Sequence, residues 1–196
     1  ILNVDGVHNL EFWKMAHRAG SPLKIFPQPG SAVPPTAYEW GGGYYDGPAQ
    51  AGFMADSVTV TGLDEVMDWP AVWNPQNPSN DRLWGMIGAT LAGRGGVEGH
   101  ASGITKVDEI SAFAAAGLAS DHEVFSAEEA WDKLTHGLFV EIRIYTMADI
   151  IKGLLDRGLT DWSQVALTTD DRTATNTLRD GGMDHNVRTA IAAGLA

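Results

Sequence analysis

Two hydrophobic periods take turns along the second half of the chain. After Gly95-Gly96, Val97–His100 is a short apolar run of strand length. Lys106–Ala116 then carries Val107, Ile110, Phe113 and Ala114 at helical spacing, with Gly117 placed to cap the C-terminus. Leu118–Asp121 is the next strand. Ser126 and Glu129 form an S-x-x-E capping box, which opens a helix that stops at Gly137. Leu138–Arg143 reads as a strand. Thr146 and Asp149 start a further helix, apolar at Ile150, Ile151, Leu154 and Leu155, that ends at Gly158. Val165–Thr169 is the next strand, and Asp184–Ala193 the last helix.

The first half follows the same alternation less cleanly. A helix over Leu10–Arg18 precedes a strand at Leu23–Phe26. The Pro-, Gly- and Tyr-rich stretch Pro27–Gly52 interrupts the rhythm, and its Trp40-Gly41-Gly42-Gly43-Tyr44-Tyr45 segment suits a substrate lid or a surface loop. A strand at Val58–Val66 follows, then a loop with Pro70, Pro75 and Pro78, then a helix over Asn80–Ala92. Strand-helix alternation of this kind implies a parallel sheet with crossover helices, an α/β fold. Six such strands fit either a doubly wound sheet or part of an eight-stranded barrel, and periodicity does not choose between them. No shift in composition marks a second domain within 1–196.

Charge and cysteine content narrow the chemistry. The formal net charge is -12, which opposes binding to nucleic acid or to an anionic membrane surface. No stretch is long and apolar enough to span a membrane, and no basic segment followed by an apolar core opens the chain. Cysteine is absent, so disulfides, thiol nucleophiles and Cys-ligated zinc are excluded. A metal site would have to use His, Asp and Glu, which suits zinc, iron or manganese. No glycine-rich phosphate loop follows a strand.

Polar groups suited to metal binding fall at the carboxyl ends of successive strands. Glu65 lies near the end of the second, His100 ends the third, His122 follows the fourth, and Asp170 and Asp171 follow the sixth. In a parallel α/β barrel, catalytic residues gather at that face, so one carboxylate, two imidazoles and a further carboxylate would converge. Each also has a plain structural reading: a hydrogen-bonded strand-end His, a solvent-facing Glu, an Asp capping a helix. His8, His17, His136 and His185 fall on helical stretches and read as surface, packing or capping residues.

At these residues the chain resembles the adenine deaminase family of the amidohydrolase superfamily. The likeness runs through Leu63-Asp64-Glu65-Val66-Met67, Gly99-His100-Ala101-x-Gly103, Ser120-Asp121-His122-Glu123 and Thr169-Asp170-Asp171-Arg172. Asn3-Val4-x-Gly6, Val33-Pro34-x-Thr36-x-x-Glu39 and Asp184-x-x-Val187-Arg188-x-Ala190-Ile191 agree as well. The resemblance implies a TIM (β/α)8-type barrel, incomplete here: the six strands would be strands 3–8, and the first two would be missing. The His-x-His metal pair would precede Ile1, and a C-terminal segment would follow Ala196. The chain begins Ile1-Leu2-Asn3-Val4 without Met, as a central portion of a larger enzyme would.

The implied chemistry is hydrolytic deamination of adenine, or a similar amino-purine, to release ammonia in the cytoplasm. Glu65, His100, His122 and Asp170 would hold a binuclear divalent metal site, with manganese or iron favoured and zinc allowed. Asp170 would act as general base and then acid. Glu123 and Asp171 would orient substrate or support the ligands. The partner would be a small purine-like molecule, and the family leaves room for a homo-oligomer. Three positions near the barrel mouth depart from the family pattern: Thr173-Ala174 in place of His-Pro, Asp180-Gly181-Gly182 in place of Glu-Gly-His, and Arg143-Ile144-Tyr145-Thr146 in place of Arg-Glu-Gly-Ser. They bear on which ring the pocket takes. Two alternatives stay open: another amidohydrolase acting on a different amino-heterocycle or cyclic amide, and an inactive barrel segment serving as a binding module.

Overall fold

The computed structural model describes residues 14–15, 19–20, 22, 24–34, 44–55 and 60–195. It is a mixed α/β structure whose strands form small parallel sheets. The chain divides into two compact units, Ile1–His100 with Ala116–Leu118, and Ala101–Ala115 with Ala119–Ala196.

The first unit holds helix α1 (Gly47–Met54), strand β1 (Gly62–Val66), helices α2 (Trp69–Trp73) and α3 (Asn80–Ala92), and strand β2 (Gly96–Gly99). The two strands pair in parallel, Gly62 with Gly96 and Leu63 with Val97. The register then slips, so that Val66 pairs with Gly99. Three steps along β1 thus match two along β2, which leaves one extra residue between Leu63 and Val66. That irregularity explains why Leu63 and Val66 are both fully buried although three positions apart, since strict alternation would put them on opposite faces.

Crossover helix α3 turns Leu83, Met86, Ile87 and Thr90 inward, the spacing of one helical face. Arg82 is buried on the same helix and donates to the carbonyls of Ser31 (2.9 Å), Tyr45 (3.2 Å) and Pro34 (2.9 Å). Burial lowers its pKa from the ordinary value, partly offset by Tyr44, Asp68 and Asp46. The start of β1 depends on glycine. A Cβ on Gly62 would meet the Gly96 carbonyl oxygen at 2.2 Å. Gly62→Ala is therefore expected to destabilise the protein by about 1–3 kcal/mol through forced separation of the strands, read as a lower denaturant midpoint with an unchanged slope.

The second unit holds helix α4 (Val107–Ala115), strand β3 (Ser120–Asp121), helix α5 (Ala127–Thr135), strand β4 (Phe139–Arg143), helix α6 (Met147–Asp156), strand β5 (Val165–Thr168) and helices α7 (Ala174–Asp180) and α8 (Met183–Ala192). Its sheet has the order β3-β4-β5, all parallel. Val140 and Ile142 point to one face and pack with Met147, Ile150, Ile151 and Leu154 of α6 and Ala190 of α8. Alternation sends Glu141 and Arg143 to the opposite face, where each is partly exposed.

Most expectations for this unit hold. Ser126 caps α5, its hydroxyl accepting from Glu129 N at 3.1 Å, while the Glu129 carboxylate reaches back to the amide of Phe125 at 3.0 Å. Ser126→Ala should cost about 1 kcal/mol, measurable by urea unfolding. The stops at Gly117, Gly137 and Gly158 all have positive φ, at 93°, 86° and 83°.

Differences concentrate in the first unit. Lys24–Phe26 forms no strand; the parallel contact comes later, as an isolated bridge from Gly30 to Asp64. The strand foreseen from Val58 begins at Gly62, and residues 56–59 lie outside the described ones. So do most of the helix foreseen over Leu10–Arg18 and the Trp40–Gly43 part of the lid segment. Three helices were not foreseen. One is α1, capped by Asp46, whose side chain accepts from Ala49 N at 3.0 Å; the others are α2 and α7. Among the described residues no helix is long and apolar enough to cross a membrane.

Candidate functional site

Within the first unit, Glu65 and His100 stand together. Glu65 sits at the slipped register of β1, and His100 directly follows β2. Parallel pairing brings these carboxyl ends side by side, and His100 Nδ1 lies 2.7 Å from Glu65 Oε2. Both side chains keep some exposure, 21% and 29%, so they can reach a ligand. The backbone under Glu65 is held as well. Ser31 Oγ donates to the Glu65 carbonyl, and Asp64 N donates to Pro29 O at 2.9 Å.

Within the second unit, His122, Glu123 and Asp170 form a cluster. One ligand-capable atom from each lies within 4.8 Å of the others. His122 Nε2 is 3.9 Å from Glu123 Oε1. The two acids share a cation: Arg143 Nη1 contacts Glu123 Oε1 and lies 2.7 Å from Asp170 Oδ2. Burial opposes the charge on Arg143, but the Asp170 hydrogen bond and the charges of Glu123, Asp170 and Asp121 outweigh it and raise its pKa above the ordinary value. Its guanidinium also lies 5.2 Å from the centre of the Phe125 ring, a cation–π contact. Asp170 has φ of 49°. That left-handed conformation costs about 1–2 kcal/mol for most residues and is tolerated best by Asn and Asp outside glycine. Thr168 Oγ1 accepts from the Asp170 amide at 3.3 Å. Asp171 is exposed.

Beneath this cluster runs a buried ion pair that the sequence pattern did not flag. Asp121 and Lys133 are both fully buried, with Lys133 Nζ 2.6 Å from Asp121 Oδ2. Lys133 also meets Glu129 Oε1 at 2.6 Å. In the sequence, Glu129 and Lys133 look like a solvated i,i+4 helix pair, so nothing there announces burial. Arg143 was legible as the end of a strand and the start of the Arg143-Ile144-Tyr145-Thr146 segment, with nothing to tie it to Glu123 or Asp170.

Neutral imidazole and carboxylate donors suit a borderline divalent ion. A carboxylate held at a fixed point beside them can move a proton.

Nearly the whole chain is similar to three relatives in particular. It is 72% identical to adenine deaminase 1 of Bradyrhizobium sp. (strain ORS 278) over 194 residues, 99% of this chain and 31% of that protein. It is 64% identical to adenine deaminase 2 of Jannaschia sp. (strain CCS1) over 194 residues, again 99% and 31%. It is 34% identical to the adenine deaminase of Oceanobacillus iheyensis over 199 residues, 100% of this chain and 32% of that protein. The chain spans about a third of the length of the curated relatives it matches. No family model matches it.

Proposed function

The chain belongs to the adenine deaminase family, and from that premise we propose that it is the central portion, strands 3–8, of a (β/α)8 barrel whose full-length protein hydrolyses adenine, or a similar amino-purine, to the oxo-purine and ammonia. The observation that carries this reading is the identity of 72% to a protein named adenine deaminase across 99% of the chain. The all-parallel pairing of β3, β4 and β5, joined through helices, supports the barrel.

Glu65, His100, His122 and Asp170 would hold the metal, manganese or iron with zinc allowed, in a binuclear site. The donor chemistry suits such an ion: His122 offers an imidazole nitrogen beside two carboxylates in the second unit, and His100 and Glu65 offer one of each in the first. What a divalent ion supplies there is a lower pKa for water, from about 15.7 towards 7.

The remaining steps belong to the side chains. Asp170 accepts the proton that water loses as its oxygen bonds to the amino-bearing ring carbon. Asp170 then returns that proton to the departing nitrogen, which leaves as ammonia. Arg143 fixes the direction of the Asp170 carboxylate through their 2.7 Å contact. Glu123, held by the same guanidinium, and the exposed Asp171 would orient the ring or support the ligands.

A second reading, deamination of another amino-heterocycle by the same machinery, draws on the departures from the family pattern. Two of them have structural roles here. Thr173 caps α7, accepting from Asn176 N at 3.1 Å, and Gly181 ends that helix. Tyr145, in the third, is 68% exposed. Ammonia release by the manganese-loaded full-length protein, assayed across adenine and other amino-heterocycles, tests both readings. Fastest turnover of adenine is the expected result. Turnover of another ring with adenine untouched would select the second reading, and no turnover of any would reject deamination.

A further inference from the structure

Asp121 and Lys133 grip the backbone at two separate points. Asp121 Oδ1 accepts from the amides of Ala101 (2.7 Å) and Glu123 (3.1 Å). Lys133 Nζ donates to the carbonyls of the same two residues, at 3.3 Å each. Both backbone polar atoms of Ala101 and of Glu123 therefore end on one ion pair. Along the chain, Ala101 directly follows His100 and Glu123 directly follows His122. Each histidine proposed as a ligand thus precedes a residue whose peptide groups this pair holds.

The pair itself is held. Its two side chains have no exposure, and Lys133 is anchored a second time by Glu129, whose other carboxylate oxygen takes the Phe125 amide. Residues 123 and 125 are thereby tied on both sides of Val124, which is buried in the core. A buried ion pair is a poor source of net stability, because desolvation offsets the attraction and an apolar pair of similar volume often does as well. What an apolar pair lacks is acceptors and donors for four backbone groups.

We infer that Asp121 and Lys133 are positioning residues, which set the backbone at Ala101 and Glu123 and so hold the chain next to His100 and His122. This inference rests on the metal-site reading above. Neither residue touches substrate, so both act through the peptide groups they hold. A group one step removed from a metal ligand typically influences affinity or activity by about 10- to 100-fold.

The test compares two double variants of the full-length protein. Asp121→Leu with Lys133→Met keeps volume and removes all four backbone contacts. Asp121→Asn with Lys133→Gln removes charge and keeps an acceptor and a donor. The Leu/Met protein is expected to lose kcat and metal affinity by about 10- to 100-fold with KM little changed, and the Asn/Gln protein to recover most of that loss. Equal activity and metal affinity in Leu/Met and wild type would overturn the inference, as would an Asn/Gln protein no better than Leu/Met.

Hydrogen exchange on metal-free wild-type protein gives a reading that needs neither a foldable variant nor a working enzyme. The amides of Ala101 and Glu123 are expected to exchange as slowly as those of β4. Exchange there at the rate of exposed loops would overturn the network. Should wild type hold no metal and release no ammonia, the function reading fails on its own, and slow exchange would still support the backbone grip.

Discussion

Asp170→Asn in the full-length protein is expected to lower kcat for ammonia release by about 10²- to 10⁴-fold, the range associated with loss of a positioned acid–base group. The substitution is chosen to leave the backbone undisturbed. Asp170 has φ of 49°, and Asn is the residue besides glycine that tolerates this conformation as well as Asp does. The backbone therefore keeps its path, and an amide oxygen can still accept from Arg143. What disappears is a carboxylate able to take a proton from water and return it to the leaving nitrogen, together with one charged metal donor, so metal content is measured beside the kinetics. KM should change much less than kcat, because the carboxylate's task lies in the transition state. Steady-state kinetics with adenine checks this. A kcat near that of wild type would take the proton transfers away from Asp170.

Lys133→Met is expected to destabilise the fold by about 3–5 kcal/mol, the cost of leaving a buried charge without its partner. Asp121 has no exposure, and its Oδ2 faces Lys133 Nζ at 2.6 Å. Removing Nζ strands that oxygen away from water and leaves the Ala101 and Glu123 carbonyls without the donor they share. Adding Asp121→Leu to Lys133→Met should recover part of the loss, since it removes the stranded Asp121 charge, while Glu129 keeps the Phe125 amide as a partner. Urea denaturation of the two proteins measures the difference directly. A single variant as stable as wild type would mean that water reaches Asp121.

Much of the second unit was legible because its elements bury one face. Ile150, Ile151 and Leu154 of α6 are fully buried, so the helical period is written in apolar residues, and Val140 and Ile142 write the strand period. Helix α7 buries no residue at all. It has no apolar face to read, and only Thr173 and Gly181 mark its ends. Helix α1 was hidden differently. Its Gly47-Pro48 start looks like loop chemistry, although Asp46 before Pro48 is also a good helix opening. The contact predicted for Leu23–Phe26 appears at Gly30 instead, because the pairing there rests on backbone groups such as Pro29 O rather than on an apolar run.

The site shows the same division. The strand-end positions of Glu65, His100, His122 and Asp170 follow from parallel topology, so counting strands made them candidates, and the family resemblance supplied their proposed roles. Arg143, Asp121 and Lys133 do their work through partners distant in sequence. Arg143 lies 27 residues from Asp170, and no local pattern encodes that meeting. The extra residue in β1, between Leu63 and Val66, is equally invisible, because it exists only in relation to β2.

Metal content of the purified full-length protein, measured by elemental analysis beside its His122→Ala variant, tests the central claim most directly. Bound manganese, iron or zinc at whole-number stoichiometry in the wild type, and a clear loss of metal in a folded His122→Ala protein, is the result this account predicts. A wild type that takes up no divalent ion, or a His122→Ala protein that keeps its full complement, would contradict it.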